Sequence, residues 1–309
     1  MQLDVDSEVG VGHPWPKGDR RAMSLEIIPG LTHDFQAWLA NSTFDRDDFA
    51  RSDLDGGSFG GRRAKEQDVD GEPVIFVHGN GDAALGSGGA LFNGWTEVLG
   101  TFLAAGYGFE RLYGTTWGPA NPLLARQQSH DRRRVRRVRR FIEAVLEYTG
   151  RQTVSVVAHS MGVTLARKAI LGGRLLDERG WTSLGPTLAP RVAAFIGIAG
   201  ANLGLNAALR NPLVRAWNPI NGFFPGVSSP VGQVGVSRLL KDINRSPRIG
   251  SKVYSIWSMS DAIVDVSVGG LPSGRIPLQD EELVVDGLNH FEVKDRAGPH
   301  LLEWLDPLR

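Results

Sequence analysis

The feature that most constrains this chain is a short apolar run ending in a serine between small residues, Val154-Ser-Val-Val-Ala-His-Ser-Met-Gly162. The run predicts a buried strand, and the apolar spacing over residues 161–171 predicts a helix packed on a sheet. Ser160 therefore falls at a sharp strand-to-helix turn, where a strained backbone holds its hydroxyl clear of the sheet. Ala158, which replaces the first glycine of the usual G-x-S-x-G pattern, and Gly162 are small enough for this turn. The motif predicts that Ser160 is a nucleophile; the alternative is an ordinary surface serine.

Composition bounds the class of protein. The chain has 309 residues, enough for one large α/β domain, and 34 Lys and Arg residues balance 34 Asp and Glu residues. Because the net charge is zero, the chain has no overall positive potential that would attract nucleic acid, and no nucleic-acid partner is expected. The lack of cysteine excludes disulfides, a cysteine nucleophile and thiolate metal sites. With an acidic N-terminus and no long apolar stretch, the sequence as given predicts a soluble, unexported protein unless a leader has been removed.

A glycine-rich loop, residues 79–89, follows a second predicted strand over residues 73–78. Its glycine spacing fits neither the dinucleotide motif G-x-G-x-x-G nor a phosphate-binding loop, which needs a following G-K-[ST]. The loop is instead typical of an oxyanion loop, in which the backbone N–H groups of Asn80 and Met161 face a developing tetrahedral oxyanion. His78 is expected to order this loop rather than to transfer protons.

A serine nucleophile needs a general base, and the base needs an acid that orients it, in the chain order Ser, acid, His. Only two of the seven histidines, His290 and His300, follow Ser160. His290 lies in the loop after a predicted strand over residues 282–286, where sites in parallel sheets collect. His300 adjoins a predicted apolar helix over residues 301–305. His290 is therefore the predicted base.

The predicted acid is Asp261, which follows a predicted strand over residues 252–257 and would hold the imidazole in the required tautomer. Asp265 and Asp242 occupy comparable positions and remain alternatives. No cofactor and no metal are expected, because serine, histidine and aspartate complete this chemistry by themselves.

Three regions organise the rest of the chain. Residues 1–70 form a predicted N-terminal extension, with a short strand over 25–28 and a short helix over 35–39. Residues 71–309 form the main domain. Within it, residues 201–250 interrupt the strand–helix alternation with prolines and large apolar side chains. This lid-like insertion is predicted either to line an apolar substrate entrance or to pack on the body.

Local patterns also predict a helix over residues 91–105, a strand over 109–113 and a loop over 180–190. Four aromatic residues near strand ends and in the insertion are candidates for the lining of an acyl pocket: Tyr113, Trp117, Phe223 and Phe224. Plain core packing is the alternative for each.

An arginine-rich stretch, residues 132–140, places seven arginines in nine residues. Apolar residues recur at every third or fourth position through residue 146, so the stretch predicts an amphipathic helix with its arginines in water. Contact with an anionic surface is the alternative, and the neutral overall charge disfavours nucleic-acid binding.

As an ordered set, these motifs resemble the class 2 lipase family of α/β hydrolases. The segments are Pro73-Val-Ile-Phe-Val-His-Gly-Asn-Gly81, Leu112-Tyr-Gly-Thr-Thr-Trp-Gly118, Val157-Ala-His-Ser-Met-Gly162, Gly197-Ile-Ala-Gly-Ala-Asn202, Ser260-Asp261 and Leu288-Asn-His290. The serine box is also similar to that of a lipase-like polyhydroxyalkanoate depolymerase. The resemblance covers about residues 57–305. It implies ester hydrolysis with Ser160, Asp261 and His290 as triad and with Asn80 and Met161 as oxyanion donors, and it suggests secretion, which is frequent in the family.

The predicted fold is an α/β-hydrolase fold: a mostly parallel central sheet flanked by helices, with a lid-like insertion. The predicted function is hydrolysis of apolar acyl esters through an acyl-enzyme, and the predicted substrates are small or polymeric esters, including esters at a lipid surface. A polyester depolymerase, a serine amidase or peptidase, and a non-catalytic hydrolase-like binding protein are the alternatives, and the intact motif set argues against the last of these.

Overall fold

The computed structural model describes residues 26–86, 91–230 and 232–306. Its strands are β1 (Gly30–Leu31), β2 (Ser58–Gly60), β3 (Val74–Val77), β4 (Leu112–Thr115), β5 (Val154–His159), β6 (Arg174–Asp177), β7 (Gly180–Ser183), β8 (Val192–Ile198), β9 (Val227–Ser229), β10 (Gly232–Val234), β11 (Lys252–Ser258), β12 (Ser267–Val268), β13 (Leu271–Pro272) and β14 (Glu281–Val285). Its α-helices are α1 (His33–Ala40), α2 (Thr96–Ala104), α3 (Arg132–Thr149), α4 (Met161–Leu171), α5 (Arg238–Arg245), α6 (Glu292–Asp295) and α7 (Gly298–Leu305). No helix in these ranges is long and apolar enough to cross a membrane.

Eight strands form one mostly parallel sheet, in the order β1-β2-β4-β3-β5-β8-β11-β14. The β2–β4 pair is antiparallel, and the other neighbours are parallel. β3, β5 and β8 are buried along their whole length, which explains why they appear in the sequence as unbroken apolar runs. Because β5, β11 and β14 run in the same direction, the loops that follow them, which carry Ser160, Asp261 and His290, meet at one edge of the sheet.

Helices cover both faces of the sheet and form two buried clusters. One contains Ile142 of α3, Leu165 of α4 and Phe35 of α1. The other contains Phe102 of α2 and Leu301 of α7. The N-terminal region contributes β1 and β2 to the edge of the same sheet. The α/β-hydrolase fold predicted from the sequence is confirmed.

Two predicted boundaries in the first half of the main domain are wrong. α2 begins at Thr96 rather than at residue 91, because Gly94 adopts a positive φ of 55° and pairs with Leu85 in an isolated bridge. The strand predicted over 109–113 is shifted to β4, because the Arg111 N–H donates to the Gly108 carbonyl and closes a turn there.

Two further predictions differ from the structure. The predicted loop over 180–190 begins with β7, which pairs antiparallel with β6. Residues 26–28 of the strand predicted over 25–28 are irregular, and residue 25 lies outside the described residues. The short helix predicted over 35–39 is confirmed as part of α1.

The arginine-rich helix α3 is amphipathic, as predicted, but most of its arginines are not free in water. Five of the seven have side chains no more than about a third exposed and are ion-paired: Arg132 with Asp177 (2.6 Å), Arg134 with Asp131, Arg137 with Asp48 (3.8 Å), Arg139 with Glu143 (2.9 Å) and Arg140 with Asp47 (2.7 Å). The carboxylates belong to α3, its N-cap and two neighbouring segments. The arginine-rich run therefore binds residues 47–48 and the β6–β7 hairpin to the helix through ion pairs. The charge pattern of the sequence alone does not reveal these partners.

The insertion over residues 201–250 contains short 3₁₀ turns, the β9–β10 hairpin and α5. It is attached to the body through His130, which is fully buried. The His130 Nδ1–H donates to the Asn221 carbonyl at 2.9 Å, and its Nε2 lies 2.7 Å from the Thr164 hydroxyl on α4. Phe223 packs edge-on against the ring, with 4.9 Å between centroids. A buried histidine thus joins the insertion to α4.

Burial lowers the pKa of His130 from 6.5 to about 4, because its charged form is poorly solvated there. Since the unfolded chain then binds a proton that the folded chain does not, stability is retained above pH 6.5 and is lost between pH 6.5 and 4. We expect this group to remove about 3 kcal/mol from the free energy of unfolding over that interval. Urea unfolding at neutral and acidic pH should show a smaller acid loss for His130→Gln than for wild type, and equal losses would contradict a neutral His130.

Candidate active site

Ser160 stands at the bend between β5 and α4. Its backbone has φ 54° and ψ −128°, which is rare for a residue with a Cβ, and its N–H donates to the Ile198 carbonyl at 2.9 Å. Glycine is needed at position 162, because a Cβ there would lie 2.4 Å from the His78 carbonyl oxygen. These contacts force the turn that the motif predicts.

Three polar side chains from distant segments meet at this bend. Ser160 Oγ lies 2.9 Å from His290 Nε2, and His290 Nδ1 lies 2.7 Å from Asp261 Oδ2. The N–H groups of Ile263 and Val264 donate to the other Asp261 oxygen at 2.8 and 2.9 Å. The His290 and Asp261 side chains are each 4% exposed, so water competes little for these bonds. A carboxylate only accepts, so Nδ1 carries the proton and Nε2 accepts from the serine hydroxyl.

The alternative partners considered from the sequence lie elsewhere. Asp265 accepts hydrogen bonds from Asn206 in the insertion, and Asp242 pairs with Lys168. His300 lies on α7, which packs against α2. The structure therefore brings His290 and Asp261, and not these residues, to Ser160.

The predicted oxyanion donors, Asn80 and Met161, border the same cavity as Ser160. Met161 is the first residue of α4, so its N–H has no acceptor within the helix and lies at the positive end of the helix dipole. The Asn80 side chain donates to the Ala125 carbonyl at 2.9 Å. That bond fixes the loop, and the backbone N–H of Asn80, rather than its side chain, remains the predicted oxyanion donor.

His78 holds the loop in place through both of its ring nitrogens. Its Nδ1–H donates to the Gly79 carbonyl at 2.8 Å, and its Nε2 accepts from the Trp117 N–H at 3.1 Å. The Trp117 indole stacks on the ring and donates to the His78 carbonyl at 2.9 Å. Burial lowers the pKa of His78 to about 3, so the ring is neutral at pH 7. These bonds support the interpretation of His78 as a structural residue.

An apolar cavity of about 300 Å³ lies beside Ser160. Its walls include Phe92, Leu205, Trp217, Phe223, Ile263 and Phe291. The insertion therefore packs on the body and also lines this cavity; that the cavity admits substrate stays a prediction. Trp217 and Leu205 were missed as individual residues, although the apolar composition of the insertion signalled such a lining.

Of the four aromatic residues predicted to line an acyl pocket, only Phe223 borders this cavity. Tyr113 is fully buried in the core, where its hydroxyl donates to the Glu110 carbonyl at 2.5 Å. Trp117 packs on the loop histidine, and Phe224 lies toward Gly235 within the insertion. The prediction that Tyr113, Trp117 and Phe224 line an acyl pocket is wrong for this cavity, because their rings pack in the core, on the loop histidine and within the insertion.

His159 was not predicted as a site residue, yet it supports His290. Its ring is buried 4.7 Å from the His290 ring, and its Nε2–H donates to the His290 carbonyl at 3.0 Å. Burial, with a further effect of His290, lowers the pKa of His159 well below its usual range, so the ring is neutral. A signal was available, because His159 immediately precedes the serine in the motif.

Lys294 links the loop that follows β3 to the segment that carries His290. It is 1% exposed on α6, where its Nζ donates to Asn93 Oδ1 at 2.9 Å and lies 3.6 Å from Asp82 Oδ2. Asp82 also accepts from the Gly94 N–H at 3.1 Å. Burial raises the pKa of Asp82, and the ammonium of Lys294 opposes that rise. No spacing rule connects these residues, so sequence reasoning missed the pair.

Lys294→Met should lower the free energy of unfolding by about 3–5 kcal/mol, because it leaves the Asp82 carboxylate buried without a cation. Adding Asp82→Asn should recover part of this loss, since an amide needs no counter-ion. Urea unfolding of the single and double variants measures both effects. A loss of less than about 1 kcal/mol in the single variant would show that the pair behaves like an exposed one.

A protein-family model described as Lipase (class 2) matches residues 71–303. A search of curated proteins returned no match. Among solved structures, the chain is similar to Bacillus licheniformis lipase BlEst2 in mature form (15% identity, 81% of this chain and 97% of that chain, TM-score 0.48). It is also similar to Paleococcus ferrophilus monoacylglycerol lipase (15%, 77% and 97%, 0.47) and Aspergillus fumigatus lipase B (14%, 75% and 48%, 0.46). The chain spans about half the length of the last of these structures.

Proposed function

Because the chain belongs to the class 2 lipase family of hydrolases, we propose that it is a serine hydrolase that cleaves carboxylic esters of apolar acyl groups through an acyl-enzyme. One observation carries the proposal: Ser160, His290 and Asp261 form a hydrogen-bonded chain, with links of 2.9 and 2.7 Å, at the wall of an apolar cavity. A nucleophile within reach of a base, and a base oriented by an acid, are the requirements of acyl transfer.

In acylation, Ser160 Oγ attacks the ester carbonyl carbon as its proton passes to His290 Nε2. The carbonyl oxygen becomes negative in the tetrahedral intermediate, and the N–H groups of Asn80 and Met161 are the proposed donors to it. Each such donor contributes on the order of 3 kcal/mol to the transition state. Collapse of the intermediate breaks the bond to the alcohol oxygen, which leaves with the proton from the imidazolium, and the acyl group remains on the serine.

In deacylation, water takes the place of the alcohol. His290 removes a proton from the water as its oxygen attacks the acyl carbonyl carbon, and the same N–H groups stabilise the second intermediate. The bond to Ser160 Oγ then breaks, His290 returns the proton to that oxygen, and the carboxylic acid departs. Asp261 stabilises the imidazolium in both halves.

The cavity supports an apolar acyl group as the recognised part of the substrate. Walls of phenylalanine, leucine, isoleucine and tryptophan side chains favour burial of hydrocarbon over polar groups. The backbone strain at Ser160 costs about 1–3 kcal/mol, a cost that catalysis explains and a purely binding function does not.

Covalent labelling tests the proposed activity. A fluorophosphonate probe should label wild type and not Ser160→Ala, because phosphonylation needs the activated hydroxyl. Ser155→Ala is the matched control, since Ser155 is a fully buried serine on β5 whose hydroxyl has no hydrogen-bond partner among the described residues. An unlabelled, folded wild type would favour a binding protein.

Hydrolysis rates of wild type on a panel of esters identify the substrate class, with Ser160→Ala as the inactive reference. Initial rates on p-nitrophenyl esters of increasing acyl length should rise as the chain fills the cavity and fall once it is full. Triolein and a polyhydroxybutyrate film complete the panel. Activity confined to the film would identify a polyester depolymerase, and cleavage of amides at comparable rates would contradict an ester hydrolase.

A further inference from the structure

A second cavity, of about 280 Å³, lies between the β6–β7 hairpin and α5. It shares no lining residue with the cavity at Ser160. Its walls include the charged side chains of Lys168, Arg174, Arg238 and Asp242. Three cations and one carboxylate leave two positive charges at this cavity, although the chain as a whole is neutral. Such a local excess is the charge pattern of an anion-binding site.

The two arginines are held in place without using their hydrogen-bond donors. The guanidinium carbons of Arg174 and Arg238 each lie 4.4 Å from the centroid of the Trp181 ring. Stacking on an indole occupies the flat face of a guanidinium and leaves its in-plane N–H groups able to donate. Within the described part of the chain, neither guanidinium hydrogen-bonds to, or ion-pairs with, a protein group. The α3 arginines, by contrast, mostly bind carboxylates.

The third cation is part of the buried framework. Lys168 on α4 is 2% exposed, and its Nζ donates to the Gly172 carbonyl at 2.8 Å and pairs with Asp242. The carboxylate of the cavity is therefore engaged by the buried ammonium. The ammonium is fixed by burial, and the two exposed guanidiniums lie against one indole ring, which lowers the side-chain entropy that they lose on binding.

A neighbouring buried arginine adds to the positive potential. Arg167 precedes Lys168 on α4 and is 1% exposed. It donates only to neutral acceptors, Asn202 Oδ1 at 2.8 Å and the Ile243 carbonyl at 2.7 Å, and it has no carboxylate partner among the described residues. Arg167 does not line the cavity, so its charge acts on an anion there only through the longer-range field.

We propose that this second cavity binds a phosphate group, either free or as a phosphomonoester, through the N–H groups of Arg174 and Arg238. A phosphomonoester carries about −1.5 to −2 charges near neutral pH, which matches the excess of two positive charges, whereas a carboxylate would neutralise only half of it. Guanidinium forks donate two parallel hydrogen bonds to phosphate oxygens. Ile220 and Trp181, each 42% exposed, border the cavity and offer apolar surface to the rest of a ligand. The site and this proposal are independent of ester hydrolysis.

Titration calorimetry of the full chain with inorganic phosphate tests the proposal. We expect saturable binding to one site, weakened about tenfold or more in Arg174→Gln/Arg238→Gln. The matched control is Arg179→Gln/Lys241→Gln, which removes the same charge from two exposed cations, one on the hairpin turn and one on α5, that do not line the cavity. Far-UV circular dichroism verifies that each variant is folded.

A vesicle flotation experiment identifies the source of the phosphate group. Flotation with phosphatidylcholine vesicles, with and without phosphatidic acid, should show binding that depends on phosphatidic acid and on the two cavity arginines if the source is a lipid headgroup. Phosphate binding without vesicle binding assigns a soluble phosphate compound. If phosphate affinity falls equally in the cavity variant and in the control variant, binding depends on overall charge and not on this site, and the proposal is wrong. The proposal is also wrong if wild type binds neither inorganic phosphate nor the vesicles.

Discussion

We expect Ser160→Ala to lower kcat on a soluble short-chain ester by roughly a million-fold, with little change in KM and in the unfolding midpoint. Removal of the attacking oxygen abolishes the acyl-enzyme and leaves only the catalysis that binding and the oxyanion donors supply. Steady-state kinetics with a p-nitrophenyl ester measure this effect, and the variant must be free of wild-type contamination at that sensitivity.

Ser155→Ala serves again as the control, and its kcat should stay near the wild-type value. It removes a serine hydroxyl from the same strand without touching His290. Activity of Ser160→Ala within about tenfold of wild type would contradict a serine nucleophile at this position and, with it, the proposed reaction.

We expect Asp261→Asn to lower kcat by roughly ten-thousand-fold without unfolding the protein. The N–H groups of Ile263 and Val264 already donate to one carboxylate oxygen, so the amide carbonyl should keep that position and the NH₂ group should face His290 Nδ1. A donor facing Nδ1 moves the ring proton to Nε2, which can then no longer accept from Ser160. The loss should therefore appear in kcat at every pH at which the enzyme is folded.

Asp265→Asn is the matched control, because the same substitution falls on a nearby loop carboxylate. Among the residues that the structure describes, Asp265 bonds only to the exposed Asn206, so we expect kcat to change by less than about threefold. Kinetics on both variants decide between the carboxylates. The reverse outcome, with Asp265→Asn inactive and Asp261→Asn active, would overturn the assignment of the acid.

The serine turn was predictable because it is a local structure. The β-branched run before Ser160, the small residues around it and the apolar spacing after it lie within one short segment, so strand, turn and helix follow from neighbours in the chain. One further rule, that the carboxyl ends of parallel strands share an edge, predicted His290 and favoured Asp261 without excluding Asp265 and Asp242.

Other predictions failed where contacts between distant segments decide the outcome. The charge pattern of α3 identified an amphipathic helix, but the burial of its arginines depends on Asp47 and Asp177, which reach it from other parts of the fold. Tyr113 stood at the end of a predicted strand, yet packing places its ring inside the core. The hydrophobic periodicity of a segment indicates on which face of the helix or strand a residue lies. It does not indicate which other segment packs on that face.

The sequence by itself determined the α/β order of the fold, the turn that exposes Ser160 and the short list of residues able to act with it. Only the tertiary structure decided which aspartate reaches His290, which aromatic side chains line the cavity, and that Lys294 and Asp82 join the loop to α6. The physical reason is distance along the chain: hydrogen bonds and packing act over a few ångströms in space, between segments that no local pattern connects.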